Sequence, residues 1–600
     1  MSQTSDPAPR DFDPRQLLKL YIDGEYDQVS EVFLDVFTHF QNYPRYLLDD
    51  CGQYYINVFV KSFLYLFTQI DYVVSPAYQA RFVAHNLTIA NLVSASGFQT
   101  TDAFLEIMRH QENNFVKILT LYSARNQVQF DRRKLFDLDP VLASVWYGVY
   151  AAVCQTGFLR PLIVDNLRAH FQFKHPQLDP RPGLSDIYYG STYVDGACDR
   201  FIKPVCNAFI RETIGTRGRL ITKPKPRKLA VLSAVWWPGH SVYRNYYAYL
   251  KHLDGYHLTF FELGHNEDVD VSLFDDVRRL DFGSRGVMDV APIEGDYCAA
   301  YFPDIGMSTQ SIWLANMRIA PVQLCSPGHS VSTWGADIDY FISGADVERP
   351  ESPEGNYSER LVLLPGCGII HNHPLHVPRG VVAGGQRDRT AEMILNCPAS
   401  AQKINPVFVQ VLRELFAQAQ RPLRLRLLAG WSLSRESHYL PFLREITTLF
   451  GPDRIEVFPN LTYTAYMTLL EEGDFTIDAY HFGGCNSVAD SLYLRRLMVT
   501  WEGDKWYNRI GSHMLRLVGL SELIATNAAQ FVEVTLHLLH DESYRADLQE
   551  RLDRADLDAT IFSTADARCF QDALDFLIEN HDRLQQDPDR SAIRIPRQLG

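Results

Sequence analysis

The feature that most constrains the fold is a series of short apolar runs that begins at Leu229. The runs alternate with segments of helical periodicity, and they form two series separated by the Pro-, Gly- and His-rich stretch 365–387. Short apolar runs bounded by turn residues indicate buried strands, and strands that alternate with helices form parallel sheets. We therefore predict an α/β chain with two doubly wound domains in tandem and a cleft between them. Ligands of such sheets bind beyond the carboxyl ends of the strands.

The region before these runs has a different pattern. Apolar residues recur at helical spacing, as in Val29, Phe33, Val36, Phe37 and Phe40, and strand-like alternation is rare. We predict an all-α domain over residues 1–215, either packed on its neighbour or serving as a platform for a protein partner.

The boundaries that follow come from changes in composition. Residues 216–228 carry six basic and no acidic side chains, which predicts a basic linker, either a solvated connector or an electropositive edge beside a phosphate site. The first α/β domain is expected over residues 229–385. The second, which carries C-terminal helices, is expected over 386–582, and the last dozen residues should be frayed.

Charge and apolar content exclude several classes of protein. The net charge of −15 argues against nucleic acid or an anionic membrane as the main partner. The most apolar window, residues 54–72, contains Asn57, Lys61 and Asp71, so it predicts a buried helix and not a bilayer span. Ten scattered cysteines without a CxxC pair indicate a reducing compartment, and the N-terminus shows no signal peptide. We expect a cytoplasmic protein.

A turn in the second domain is a candidate anion site. Gly483 and Gly484 form a tight turn, and Asn486 or Ser487 is expected to cap a helix that runs to Arg496. The free N–H groups of a helix start favour an anion. Asp490, one turn into that helix, is placed to accept hydrogen bonds from sugar hydroxyls. An ordinary turn is the alternative.

Two further side chains follow predicted strands. Lys403 precedes a helix that should begin at Asn405-Pro406, where a cation can meet a diphosphate, although a surface lysine is the alternative. His240 ends the first strand of the first α/β domain, where an imidazole can take a proton or bind a phosphate, unless its role is structural.

A histidine-rich tract in the stretch between the two α/β domains invites a metal interpretation. His371, His373 and His376 lie close together, but the sequence offers no evident fourth ligand and Pro374 disturbs regular geometry. We therefore predict no metal site and no cofactor.

Three groups of motifs occur in a consistent order. The first is Arg318–Gln323 with Pro327–His329 and Asp339–Ile342, the second is Ser400–Pro406, and the third is Gly484-x-Asn486-Ser487-x-x-Asp490 with Val499–Gly503, Arg509 and Gly519–Ala525. Together they resemble glycosyltransferase family 41, which contains the O-GlcNAc transferases and the bacterial cytoplasmic N-glycosyltransferases that modify adhesins. The resemblance covers about Leu229 to Leu577. The lack of tetratricopeptide repeats favours the N-glycosyltransferase branch.

The resemblance implies a fold and a reaction. The expected fold is GT-B, with two tandem Rossmann-like domains after an all-α domain. The expected reaction is the inverting, metal-independent transfer of a hexose, most simply glucose, from a UDP-sugar to asparagine in Asn-x-Ser/Thr sequons of an adhesin or another protein. The alternatives are a protein O-glycosyltransferase acting on Ser/Thr and a catalytically silent GT-B partner subunit.

The resemblance also implies site residues. Lys403 would contact the UDP phosphates and Asp490 the ribose, while His240 would lie near the reacting sugar or the phosphates and act as the base of the reaction if one is needed. The residues expected to line the nucleotide are Ser400, Asn460, Gly484, Asn486 and Ser487.

Three positions depart from the family pattern: Trp431 replaces a glutamine near the sugar, Asn460 replaces a basic or histidine residue, and Cys485 lies in the phosphate turn. Trp431 is therefore a candidate for sugar specificity.

Overall fold

The computed structural model describes residues 12–42, 50–111, 114–157, 159–283, 288–376, 392–429, 439–458 and 461–597. The chain forms two compact units. The first contains Met1–Cys198, Ser400–Pro406 and Leu428–Leu461, and the second contains Asp199–Ala399, Val407–Leu427 and Thr462–Gly600. The domain boundaries expected from sequence stay predictions, because each unit combines segments that are distant in the chain.

Helices account for the regular structure of the described part of the chain up to residue 218. They are α1 (Pro14–Ile22), α2 (Tyr26–Asn42), α3 (Asp50–Phe67), α4 (Pro76–Ala84), α5 (Asn86–Ala95), α6 (Asp102–Met108), α7 (Phe115–Leu121), α8 (Arg132–Leu138), α9 (Pro140–Ala151), α10 (Pro161–Gln172), α11 (Leu184–Asp195) and α12 (Asp199–Ile214). Helix α3 buries Ile56, Phe59, Val60 and Phe63, as its apolar window predicted. Within the described residues, none of the helices is both long enough and apolar enough to cross a membrane.

The first α/β region contains one parallel sheet. Its elements are β1 (Lys225–Ser233), α13 (Ser241–Lys251), β2 (His257–Glu262), β3 (Asp276–Arg279), β4 (Tyr297–Phe302), α14 (Thr309–Leu314), β5 (Val322–Cys325), β6 (Tyr340–Gly344) and β7 (Arg360–Leu364). Strand β1 begins at Lys225 and not at Leu229, so the expected linker already contributes to the sheet.

The second series contains the remaining elements. They are β8 (Met393–Cys397), α15 (Pro406–Gln418), β9 (Leu423–Leu428), α16 (Leu440–Phe450), β10 (Ile455–Phe458), α17 (Tyr463–Glu472), β11 (Phe475–Ile477), α18 (Asn486–Tyr493), β12 (Met498–Trp501), α19 (Ile510–Leu517), β13 (Ile524–Ala525), α20 (Ala528–His540), α21 (Glu542–Arg554), α22 (Cys569–Gln586) and β14 (Ile593–Arg594). Helix α15 begins at Pro406, as predicted.

Both sheets change winding direction at one point. The first has the order β14-β7-β6-β5-β4-β1-β2-β3, and β1 pairs in parallel with both β2 and β4. Five strands of the second have the order β9-β8-β11-β12-β13, with β8 parallel to both β9 and β11. The strand order therefore reverses between β1 and β4 and between β8 and β11, and such reversals are where doubly wound sheets bind ligands.

The C-terminal segment is more ordered than the sequence predicted. Strand β14 pairs in parallel with β7, so residues expected to be frayed extend the first sheet. Helix α22 also packs against this region, with the Phe570 ring 5.3 Å from that of Tyr249 and the Tyr256 hydroxyl donating to Asp575 at 2.6 Å. The expectation of a frayed end was wrong because these tertiary contacts leave no mark on local composition.

Candidate functional site

His240 caps helix α13 through its ring. The imidazole Nδ1 accepts a hydrogen bond from the backbone N–H of Val242 at 3.1 Å. Burial lowers the pKa of His240 to about 4, so the ring is neutral near pH 7. A neutral ring that accepts at Nδ1 carries its proton on Nε2. His240 therefore presents an N–H donor, which suits a contact to a phosphate or a sugar oxygen better than proton abstraction.

A carboxyl group that the sequence did not reveal holds the loop carrying His240. Asp304 follows β4, and its Oδ2 accepts hydrogen bonds from the Ser233 hydroxyl at 2.9 Å and from the Ala234 N–H at 2.7 Å. The side chain is fully buried, and this burial raises the pKa of Asp304 to about 6. Asp304 thus joins the ends of β1 and β4 at the reversal of the sheet. Only its place just after an apolar run could have signalled this role.

The glycine turn after β11 is organised by a carboxylate. Asp478 accepts hydrogen bonds from the Gly484 N–H at 2.8 and 3.0 Å. A Cβ on Gly484 would lie 2.2 Å from the Ser487 hydroxyl, so a larger residue there would have to displace that side chain. The Gly484 N–H is therefore already used, and the amides that remain for an anion are those of the first helical turn.

The cap of α18 differs from the expected one. Cys485 is the N-cap, without a side-chain capping bond, and Asn486 and Ser487 are the first two residues of the helix. The helix ends at Tyr493 and not at Arg496. Because the first N–H groups of a helix lack intrahelical partners, the amides of Asn486 and Ser487 point out of its start. These two residues remain candidates for nucleotide binding through their backbone.

Asp490 lies in a buried polar network. Its Oδ1 accepts a bond from the Arg244 guanidinium of α13 at 2.8 Å and one from the Tyr463 hydroxyl at 3.2 Å. Burial raises the pKa of the Asp490 carboxyl, and the Arg244 guanidinium opposes this shift. The pair connects helices that belong to the two different sheets, and 246 positions separate its members in sequence. A ribose contact by Asp490 stays a prediction, and it has to be made beside Arg244.

The lysine loop belongs to the first compact unit. Ser400 caps a short 3-10 turn, Ala401–Lys403, without a side-chain capping bond, and the Lys403 N–H donates to the Ser400 carbonyl at 2.8 Å. Gln402 donates from its amide to the hydroxyl of Tyr189 on α11 at 3.3 Å. The all-α region therefore contacts the loop directly and holds Lys403 partly exposed.

The remaining predicted positions divide as follows. His240, Gly484, Asn486, Ser487 and Asp490 lie in the second compact unit, and Ser400 and Lys403 lie in the first. Trp431 and Asn460 fall outside the described residues.

The described part of the histidine tract does not resemble a metal centre. Across the described residues, no group of three or more His, Cys, Asp or Glu side chains is arranged to hold a metal ion. His373 instead pairs with Asp558 at 2.8 Å and stacks on Phe562, with the ring centroids 4.4 Å apart.

Known proteins resemble this chain in sequence. A UDP-glucose:protein N-beta-glucosyltransferase of Actinobacillus pleuropneumoniae serotype 5b is 22% identical over 508 residues, which are 78% of this chain and 80% of that protein. This similarity supports the resemblance to glycosyltransferase family 41 that the sequence motifs indicated. A probable UDP-N-acetylglucosamine–peptide N-acetylglucosaminyltransferase SPINDLY of Petunia hybrida is 25% identical to this chain over 237 residues, which are 39% of the chain and 25% of that protein. No protein-family model matches the chain.

The structure agrees with this relationship at the level of fold. A mutant of the Thermobaculum terrenum O-GlcNAc transferase superposes with a TM-score of 0.58 at 18% identity, covering 86% of this chain and 100% of that one. The chain therefore has a GT-B fold preceded by a helical region, as the sequence predicted.

Proposed function

We propose that this chain is a UDP-sugar-dependent protein glycosyltransferase that transfers a hexose, with glucose expected, to asparagine in Asn-x-Ser/Thr sequons. The observation that carries the proposal is the similarity over 508 residues to a protein named as an N-beta-glucosyltransferase, which spans most of both chains. The helical N-terminal region and both α/β series fit the same class of enzyme.

In the proposed reaction the asparagine amide nitrogen attacks C1 of the sugar. The bond from C1 to the β-phosphate oxygen breaks, its electron pair leaves with UDP, and the configuration at C1 inverts. The amide then loses a proton to solvent or to a base, and the proposal assigns no residue as that base. Since negative charge grows on the diphosphate, fixed donors and cations aimed at it accelerate the step.

Several groups of the chain match that requirement. The His240 Nε2–H and the first amides of α18 supply neutral donors, and Lys403 supplies a positive charge. In this proposal these groups replace a metal ion, and Asp490 binds the ribose. Ser400, Asn460 and Gly484 line the nucleotide, and Trp431 contributes to the choice of sugar.

The acceptor and the compartment are further parts of the proposal. An adhesin or another sequon-bearing polypeptide is the expected acceptor, modified in the cytoplasm before export. None of the ten cysteines, all of which lie in the described residues, forms a disulfide, and most are buried, which fits a reducing compartment.

The test is intact-mass analysis of a sequon peptide after incubation with the protein and a panel of UDP-sugars. A hexose added from one donor, and lost when the sequon asparagine is replaced by glutamine, supports the proposal. UDP binding is measured in parallel, because a chain that binds no UDP and transfers no sugar would be a silent partner subunit.

Protein O-glycosylation is the second candidate. Two observations favour it. A stretch of 237 residues of this chain is similar to a protein named as a probable peptide N-acetylglucosaminyltransferase. The chain also shares its fold with an O-GlcNAc transferase. N-Acetylglucosamine added to serine or threonine of the same peptide would replace the first proposal with this one.

A further inference from the structure

Several buried polar atoms beside helix α13 lack a partner among the described residues. They are Arg244 Nε, Asn245 Oδ1, Tyr246 OH and both ring nitrogens of His371. Each of these side chains is at most 5% exposed. Buried polar groups in native proteins are almost always hydrogen-bonded, so a group of such atoms in one place points to a partner outside the chain.

The backbone fixes His371 against this helix. The Ile370 N–H donates to the Asn245 carbonyl at 3.0 Å, and the Asn372 N–H donates to the Arg244 carbonyl at 2.8 Å. His371 lies between these two bonds, so its position is set by the backbone and not by its ring.

The same residues of α13 reach the start of α18. Arg244 binds Asp490, and the Asn245 amide lies 3.9 Å from the sulfur of Cys485, the cap of α18. The polar atoms around His371 therefore adjoin the helix start that is assigned to the diphosphate. An occupant of that helix start is the nearest candidate partner for them.

The protonation state of the ring suits a phosphate partner. Burial lowers the pKa of His371 to about 3, and the nearby Arg244 and His513 lower it further. The ring is therefore neutral and keeps one N–H donor. A phosphate oxygen is a strong acceptor for such a donor.

We propose that His371 is a donor-site residue that gives a hydrogen bond to the diphosphate of the bound UDP-sugar. The inference rests on the proposed function, because it assumes that UDP binds at the start of α18. It extends that function by a residue that neither the family motifs nor the strand ends indicated.

The test replaces His371 by leucine, which has a similar volume and no polar atoms, and measures UDP affinity and thermal stability of the full chain. A buried polar group without a partner costs stability, so His371→Leu should leave the melting temperature unchanged or raise it. The dissociation constant for UDP should rise at least about tenfold, as expected for a lost hydrogen bond to a charged group.

His373→Leu is the matched control. It lies two positions away, pairs with Asp558 and stacks on Phe562, so it should leave UDP affinity unchanged. Unchanged affinity in His371→Leu would overturn the inference. A fall in melting temperature that accompanies the loss of affinity would also overturn it, because it would show a structural role.

Uridine separates the diphosphate from the nucleoside. The His371→Leu variant should bind uridine as the wild type does, since uridine has no phosphate. An equal loss for UDP and uridine would contradict the diphosphate contact. If the wild-type chain binds no UDP, the proposed function fails as a whole, whereas UDP binding that His371→Leu does not weaken refutes only this inference.

Discussion

The buried pair of Arg244 and Asp490 gives the sharpest prediction on stability. The two side chains are 5% and 3% exposed, and the guanidinium donates to the carboxylate at 2.8 Å. Replacing Asp490 by alanine leaves the guanidinium buried without its counter-charge. Removing one partner of such a pair typically costs about 3–5 kcal/mol. We therefore expect Asp490→Ala to destabilise the region of α13 and α18 by that amount, besides weakening UDP binding.

The assay is hydrogen exchange of peptides from α13 and α18, because it reports the stability of this region separately from that of the rest of the chain. The double variant Arg244→Met/Asp490→Leu removes both charges and should recover protection to within about 1 kcal/mol of the wild type. Its UDP affinity should stay low. Normal protection in Asp490→Ala, or a double variant less protected than the single one, would refute the assignment of a buried, coupled pair.

The remaining predictions concern the other site residues. Lys403→Ala should lower turnover by about two to three orders of magnitude while the chain stays folded, as expected for a lost electrostatic contact in the transition state, and near-normal turnover would contradict it. His240→Asn keeps a capping side chain but loses the Nε2–H, so it should lower kcat and leave the melting temperature nearly unchanged; a large drop in that temperature would indicate a structural role. Since burial raises the pKa of Asp304 from 3.8 to about 6, the folded state holds that proton more tightly than the unfolded state. Stability should therefore fall by about 3 kcal/mol in total as the pH rises from below 3 to above 7, with about 2 kcal/mol of the fall between pH 4 and 6, and Asp304→Asn should lose this dependence. EDTA should not alter transfer, and a strict metal requirement would overturn the metal-free reaction.

The sequence predicted the elements that hydrophobic runs decide. Helix α15 begins at its predicted proline, and α3 buries part of the apolar window that was predicted to form a buried helix. Strand β3 was not predicted, because its residues Asp276–Arg279 are half-buried to exposed and form no apolar run. Burial of a whole segment is visible in a sequence, whereas the pairing of a polar edge strand depends on its neighbour.

The contacts that shape the candidate site were out of reach for a different reason. Asp490 was identified from the motif of α18, but its partner Arg244 lies on a helix of the other sheet. Asp304 and Asp478 hold the two loops through backbone N–H groups, and a buried aspartate that accepts such bonds has no sequence pattern of its own. The predicted cap of α18 was also wrong, because Cys485 takes the cap position without a capping bond and Asp478 binds the Gly484 N–H that precedes the helix.

The most direct test of the central claim is to locate the sugar on the product. A peptide with one sequon, which also contains serine and threonine outside it, is incubated with the chain and UDP-glucose and then fragmented by a method that keeps the glycosidic bond. The account predicts a hexose on the sequon asparagine in the wild type and almost none with Lys403→Ala. A hexose on serine or threonine, or an unmodified peptide although UDP binds, would contradict it.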